Sequence, residues 1–333
     1  MNTQDVKEIV EREYNLDILS IEKIKNVFKL NSSSGEFCLK LINYEFKHFY
    51  FILSAIKHLQ KNQFEKIPEI IKTKSNCDYI TLESKYAYLT NWINGRLCNY
   101  DNPLDVSKAV LKLAELHKKS SNFIITKDMK PRIGWLRWIE TYKTRRNEIL
   151  DFKNRIDKKS NNTQFDKLYL SIMNQELERA ESSINHLIES DYMNKMKNEI
   201  LNRSFCHHDY AHHNVLIDKE NSLNIIDFDY CILDTHLHDL SSILIRTMKY
   251  GRWDIKKAKD IFNVYSSLIR IYKEDLPIIS AFVEFPQDYW QRGIQCYWEE
   301  KNWGEEFFMK KLEKYIEDRD HRSEFVKELK SSI

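Results

Sequence analysis

The stretch CHHDYAHHNVLIDKENSLNIIDFD (206–229) constrains this chain more than any other. It places four of the eleven histidines in a short loop, then gives two apolar runs, VLID and NIID, each ending in an acid. Polar residues separate the runs, so they predict a short β-hairpin. Such a hairpin aims Asn214, just before the first run, and Asp227, at the end of the second, at one point. Around it the chain reads as helix after helix, which makes the fold class α+β.

The histidine-rich loop admits three chemistries. Cys206, His207, His208, His212 and His213 offer enough donors for zinc. Yet the sequence has no HExxH glutamate and, beyond His208 and His212 of the loop itself, no distant CxxC or HxxxH pair to complete a tetrahedral site. His208-Asp209 and His238-Asp239 are both His-Asp dyads of the kind that metal phosphohydrolases carry, but that chemistry needs the dyad on a helix, and Asp209 falls between a strand and a loop. The third reading rests on spacing: His207-x-Asp209-x4-Asn214 fits H-x-D-x-x-x-x-N, the form of a phosphoryl-transfer loop. Thirteen residues beyond Asn214, Asp227 follows an apolar strand and precedes Phe228. An acid can accept the proton of an attacking hydroxyl, while an amide and a carboxylate hold Mg²⁺ against phosphates.

The rest of the chain supports this third reading. TQDVKEIVEREY (3–14) is a short amphipathic helix, followed by strand patterns ILSIEKI, NVFKL and EFCLKLIN with NSSSGE (31–36) as a turn. In the last of these, Phe37, Leu39 and Leu41 share one face, and Cys38, Lys40 and Ile42 the other. A helix is expected over 46–62 and strands over 79–83 and 86–93, with Asn94-Gly95 ending the sheet section. Asn102 then caps a helix with Pro103 at its first position and Asp105 in its first turn. Val106, Val110, Leu113 and His117 form its inward stripe, where His117 reads as a core residue. Helical patterns fill the chain to about 200 and again over 236–330. Tyr289, Trp290, Ile294 and Tyr297 are expected to pack into that helical region rather than to wall a substrate site.

Six glycines and five prolines in 333 residues favour long helices with brief connections. A net charge of +2 gives no whole-chain argument for nucleic acid or membrane binding. No two of the six cysteines form a CxxC, the N-terminal segment has no apolar signal region, and no run approaches membrane-spanning length. A soluble, intracellular protein is expected.

With these residues in hand, the sequence resembles the aminoglycoside phosphotransferase-like kinases, a group that includes choline, homoserine and methylthioribose kinases. Their loop is typically H-G-D-x-x-x-x-N followed by I-D-[FW]. More narrowly, it is similar to the CotS family of spore-coat-associated proteins. NVFKLNSSSGEFCLKL, YAYLTNWINGR, LAELHKKS and HHDYAHHNVLID…IIDFDYC…DLSSILIR carry that likeness, over residues 25 to 250.

The resemblance implies a two-lobed protein-kinase-like fold. Residues 1–93 would be a β-rich nucleotide-binding lobe, and 94–333 a helical lobe holding the catalytic loop (205–229) and acceptor-binding helices. It implies ATP and Mg²⁺ as cofactors, and phosphoryl transfer to a hydroxyl of a small acceptor. Asp209 would be the base, Asn214 and Asp227 the metal ligands, and Lys40 the contact to the α/β-phosphates. Leu89, Thr90, Asn91 and Trp92 would form the hinge that holds adenine. His207 would anchor the loop, and Asp239 would either orient it or cap the helix it opens. Other spore coat proteins are the implied partners, with the mother-cell cytoplasm and the coat as locations. A structural or assembly protein of the coat, built on a kinase scaffold, is the alternative.

The sequence departs from the family pattern at several points. His208 stands where relatives keep glycine, and Asp229 replaces the glycine of D-F-G. No glutamate lies in FKHFYFILSAIKHL to pair with Lys40, although Glu45 just precedes that helix. The first hairpin has no glycine to wrap phosphates.

Overall fold

A computed structural model describes residues 2–83 and 85–331. The chain divides into two compact units. The first takes in the chain through Asn99, together with Glu115–Arg132 and His207–Ile232. The second takes in Tyr100–Ala114, Ile133–Cys206 and the chain from Leu233 on.

The first unit is organised by an antiparallel sheet. Its strands are β1 (Ile18–Ile24), β2 (Val27–Ser32), β3 (Gly35–Ile42), β4 (Ile70–Ile71), β5 (Ile80–Leu82) and β6 (Lys85–Asn91). The order is β1-β2-β3-β6-β4, with β5 also on β6. Alternation along β3 and β6 sorts side chains by face. Phe37, Leu39, Leu41, Ala87 and Leu89 join Val6, Val10 and Tyr14 of α1 (Thr3–Glu13) in one apolar core. Cys38, Lys40, Tyr88 and Thr90 fall on the other face, with Lys40 opposite Tyr88 in register. The turn between β2 and β3 is tighter than the six residues expected, because the strands run to Ser32 and from Gly35. Helix α2 (Phe46–Lys61) follows β3.

A second, three-stranded sheet completes this unit. It joins β7 (Arg96–Leu97), β8 (Val215–Ile217) and β9 (Leu223–Ile225). Strands β8 and β9 are the expected hairpin, with Val215 opposite Ile225. A boundary at 93–94 would therefore separate β6 from a strand of the same unit.

The second unit is helical. Helix α3 (Pro103–Ser120) begins as expected: Leu104 N–H donates to Asn102 Oδ1 at 3.0 Å, and Asp105 lies in the first turn. Then come α4 (Trp138–Asp157), α5 (Gln164–Glu189), α6 (Tyr192–Asn202), α7 (Leu237–Met248), α8 (Ile255–Ser266), α9 (Asp275–Glu284), α10 (Gln287–Gly293) and α11 (Glu305–Ser331). Tyr289 and Tyr297 pack in a core with Phe152, Phe165, Tyr169 and Tyr315, and Trp290 and Ile294 lie against it. Tyr169 and Tyr289 stack at 4.1 Å, and each hydroxyl donates to the other's carbonyl, so two buried phenols satisfy one another. All six cysteines are free, and among the described residues no helix is long and apolar enough to cross a membrane.

Glu199 shows how this unit handles buried charge. The carboxylate accepts from Ser204 (2.9 Å) and Thr235 (3.3 Å) and lies 2.9 Å from His236 Nδ1. Burial alone would push its pKa up, but His236, Lys195 and Ser204 outweigh burial and hold it down at about 2. A depressed acid stabilises the fold above its unfolded value and loses that contribution as pH falls through the folded value. Stability is thus expected to fall by about 3 kcal/mol between pH 4.5 and 2 from this group alone. Urea midpoints across that range check it, and Glu199→Gln should flatten the limb.

Candidate active site

The hairpin positions the first group of candidate residues. Ile226 N–H donates to Asn214 O at 3.0 Å across its mouth, and Ile225 N–H donates to Lys66 O at 2.9 Å. His207 Nε2–H donates to Ile226 O at 3.0 Å, so this buried ring ties the start of the loop to the second strand. Asn214 Nδ2 donates to both the backbone O (2.9 Å) and Oδ2 (3.1 Å) of Asp209. That fixes the Asp209 carboxylate while leaving it 29% exposed, within reach of a ligand. It also sets the amide of Asn214: its nitrogen faces Asp209, and its oxygen is left as an acceptor.

His208 has φ +69°, a left-handed conformation that glycine adopts freely and that costs an L-residue roughly 1–2 kcal/mol. The backbone at 208 therefore holds a conformation that glycine adopts most freely, with a histidine in its place. Asp227 is left-handed too, at φ +67°, and its carboxylate accepts from Asp229 N–H at 3.4 Å.

Lys40 is where sequence reasoning fell short. Its ammonium lies 2.7 Å from Asp227 Oδ1 and 2.7 Å from Asp229 Oδ1, and its side chain is 7% exposed. Burial works to lower the Lys40 pKa, but Tyr88, Asp229 and Asp227 outweigh it and raise the value. Burial likewise pushes Asp227 up, yet the Lys40 charge and hydrogen bond hold it below the ordinary carboxylate value. Asp229 goes the other way: burial raises it, and the neighbouring Asp227 charge adds to the rise against Lys40. Glu45 does not supply this lysine's partner, because it pairs with Lys130 at 2.7 Å in solvent. Asp229 takes that place. The signal for it was present: a strand lysine with no helix glutamate, and an acid two residues after Asp227.

Arg132 holds the same segment from outside. Its Nη1 donates to Asp229 O at 3.1 Å, and its guanidinium sits 5.1 Å from the Tyr44 ring and 5.0 Å from the Tyr230 ring. Nothing in the local sequence pattern marks Arg132.

A cavity of about 490 Å³ opens beside Lys40 and Asp227. Its walls include Ile24, Val27, Ile67, Leu216 and Phe228, apolar surfaces suited to a flat aromatic ring. Of the four expected hinge residues, Thr90, Asn91 and Trp92 line it. Leu89 does not, since its side chain belongs to the α1 core. The β3–β6 ladder runs through Asn91, and Trp92 N–H donates to Glu36 O at 3.0 Å. Ile93, Asn94 and Gly95 lie beyond the ladder and also line the cavity, so the backbone there is placed to meet a ligand. The β1–β2 connection is only Lys25 and Asn26, a two-residue turn too short to fold over phosphates.

The remaining candidates lie elsewhere. Asp239 is buried in the first turn of α7, where an acid meets the positive end of the helix, and His236 occupies the N-cap. In the histidine-rich stretch, Cys206 Sγ donates to Thr235 O at 3.1 Å, and His212 and His213 are exposed.

Solved structures of low sequence identity share this fold. An aminoglycoside phosphotransferase from Alicyclobacillus acidocaldarius superposes with a TM-score of 0.85 at 21% identity, covering 98% of this chain and 95% of that one. The spectinomycin phosphotransferase APH(9)-Ia, in complex with ADP and spectinomycin, gives 0.69 at 18% identity, covering 99% and 98%. The amicoumacin kinase hAmiN, in complex with AMP-PNP, Ca²⁺ and Ami, gives 0.64 at 12% identity, covering 100% and 94%. The fold is thus of the aminoglycoside phosphotransferase type, within the kinase-like group. The family described as "Spore coat putative kinase YutH" matches residues 7–329, and the chain belongs to that family.

Proposed function

We propose that the chain is an ATP- and Mg²⁺-dependent phosphotransferase that acts on a hydroxyl of a small acceptor. One observation carries the reading: a single compact unit brings together Asp209 held by Asn214, and Asp227 held by Lys40, beside a cavity with apolar walls. In this reading Asp209 orients the acceptor hydroxyl and takes its proton. Asn214 Oδ1 and the Asp227 carboxylate are hard oxygen donors that suit Mg²⁺, and Asp229 adds a third beside them. Mg²⁺ supplies neutralisation of charge on the phosphoryl group in flight. Lys40 provides the fixed cation for the nucleotide phosphates, and Thr90 to Gly95 the edge against which adenine lies. His207 holds the loop through Ile226 O. Spectinomycin, amicoumacin, aminopropanol and choline, named for the similar kinases, define an acceptor panel of hydroxyl-bearing amines. Work in the mother-cell cytoplasm and deposition in the spore coat, beside other coat proteins, belong to the same reading.

A second reading is favoured by a specific set of contacts. Lys40 is saturated by two carboxylates, and the two-residue Lys25–Asn26 turn offers phosphates little backbone. Both suit a kinase-fold scaffold of the coat that has set ATP aside. Calorimetry separates the two. The enzyme reading expects saturable Mg²⁺-dependent ATP binding, lost in Asp227→Ala. Absence of binding in the wild-type chain would leave the scaffold reading standing.

A further inference from the structure

The helical unit carries a second cavity, of about 540 Å³, between α5 and α11. Arg179, Ser182 and His186 recur at helical spacing along one face of α5, and Arg322, Lys327 and Lys330 of α11 line the cavity with them. Glu284, at the end of α9, already answers Lys330 and the His186 ring. Its Oε2 lies 2.6 Å from His186 Nδ1 and 3.1 Å from Lys330 Nζ. Glu178 is the other acid of the lining. Arg179 is fixed in place more than it is neutralised. Its Nη2 donates to Arg319 O at 3.1 Å and Ser323 Oγ at 2.5 Å, and its carboxylate neighbour Glu176, at 3.6 Å, also lies near Arg319.

Arg322 is the decisive residue. It is 4% exposed, and its Nε and Nη2 have no hydrogen-bond partner. Its guanidinium lies over the Tyr315 ring at 5.1 Å. The carboxylates whose charge it feels are Asp288, Glu176 and Asp318, and two of these are engaged elsewhere. Asp318 accepts from Gly251 N–H (2.7 Å) and Trp253 Nε1–H (2.8 Å), and Glu176 accepts from the Tyr315 hydroxyl. A guanidinium buried this deeply is tolerated where an anion meets it.

We infer that this cavity binds a phosphate-bearing small molecule, held by Arg322, Arg179 and Lys327, while the Ser182 hydroxyl stays with Glu284 Oε1 at 2.9 Å. A guanidinium fork matches phosphate oxygens in pairs. The volume lies within the range of small-molecule sites, which leaves room for an ester body beside the phosphate. No residue of this cavity belongs to the Lys40–Asp209 set, so the inference stands apart from the phosphotransferase reading.

The test uses the full chain, with inorganic phosphate and glycerol 3-phosphate as separate probes against chloride at matched ionic strength. Calorimetry is expected to show saturable binding. Tighter binding of the monoester identifies an ester as the ligand, and equal affinity identifies free phosphate. Lys327→Ala, at an exposed position, should weaken binding about threefold. Arg322→Met should abolish it, with a lower melting temperature in chloride because Glu176 and Asp318 lose a neighbouring cation. A merely structural arginine would lower that temperature in the same way and leave phosphate binding intact. If Arg322→Met fails to fold, Lys327→Ala decides alone. No saturable binding of either probe, unaltered binding in Lys327→Ala, or loss of binding in Asp227→Ala would overturn the inference.

Discussion

Asp209→Asn is expected to lower turnover about 10²–10⁴-fold, the span that a positioned general base contributes. The fold should tolerate the change. Asn214 Nδ2 donates to Asp209 O and Oδ2, and an asparagine at 209 keeps both a backbone oxygen and a side-chain oxygen to accept. What it loses is the capacity to take a proton. Nucleotide affinity should stay within about threefold, since Asp209 is bonded to Asn214 and takes no part in the Lys40 cluster. Release of ADP in the presence of the acceptor panel measures the first quantity, and calorimetry with Mg²⁺–ATP the second. Turnover near the wild-type level would show that the Asp209 carboxylate does not act as the base. A joint loss of turnover and binding would show instead that Asn214 had been displaced, and Asn214→Ala should then reproduce it.

Which parts of this arrangement the sequence discloses follows from the range of the forces involved. Strand β1 was legible to the residue because seven consecutive positions carry a pattern of local origin. The face of Lys40 was legible for the same reason: period two fixes it once Phe37, Leu39 and Leu41 are assigned to the core. The β8–β9 hairpin declared itself through two apolar runs and a polar turn. Strands β4 and β7 did not, because two residues hold no periodicity and exist only through their partners in β6 and β8. Asp227, one partner of Lys40, lies 187 residues away in sequence, and only the tertiary fold decides whether Glu45 or Asp229 is the other. The left-handed backbone at 208 was hidden by its own side chain, since a histidine gives no hint of positive φ, whereas a glycine would have.

Lys40→Met is expected to destabilise the chain by about 3 kcal/mol at neutral pH, the low end of the cost of removing one partner from a buried ionic cluster. The low end applies because the Asp227 side chain is 36% exposed, so water shares in meeting its charge. The cause is what remains. Asp227 and Asp229 now face each other, with burial raising both and no ammonium between them. The cheapest response is for the pair to hold a proton, so at least one carboxyl has a folded pKa above its unfolded value. Such an acid stabilises the fold fully at low pH and loses that contribution as pH rises through the folded value. In the wild-type chain Asp227 is depressed and behaves in the opposite sense, losing stability as pH falls. The gap between the two proteins should therefore be small near pH 4 and full near pH 7.5, as read from urea midpoints. Adding Asp229→Asn to Lys40→Met removes the carboxylate repulsion and should restore about half of the loss. The same replacement in the wild-type background leaves Lys40 with Asp227 alone and frees it to meet a nucleotide. An equal gap at both pH values, or no rescue by Asp229→Asn, would show that the Lys40–Asp227–Asp229 cluster does not act as one electrostatic unit.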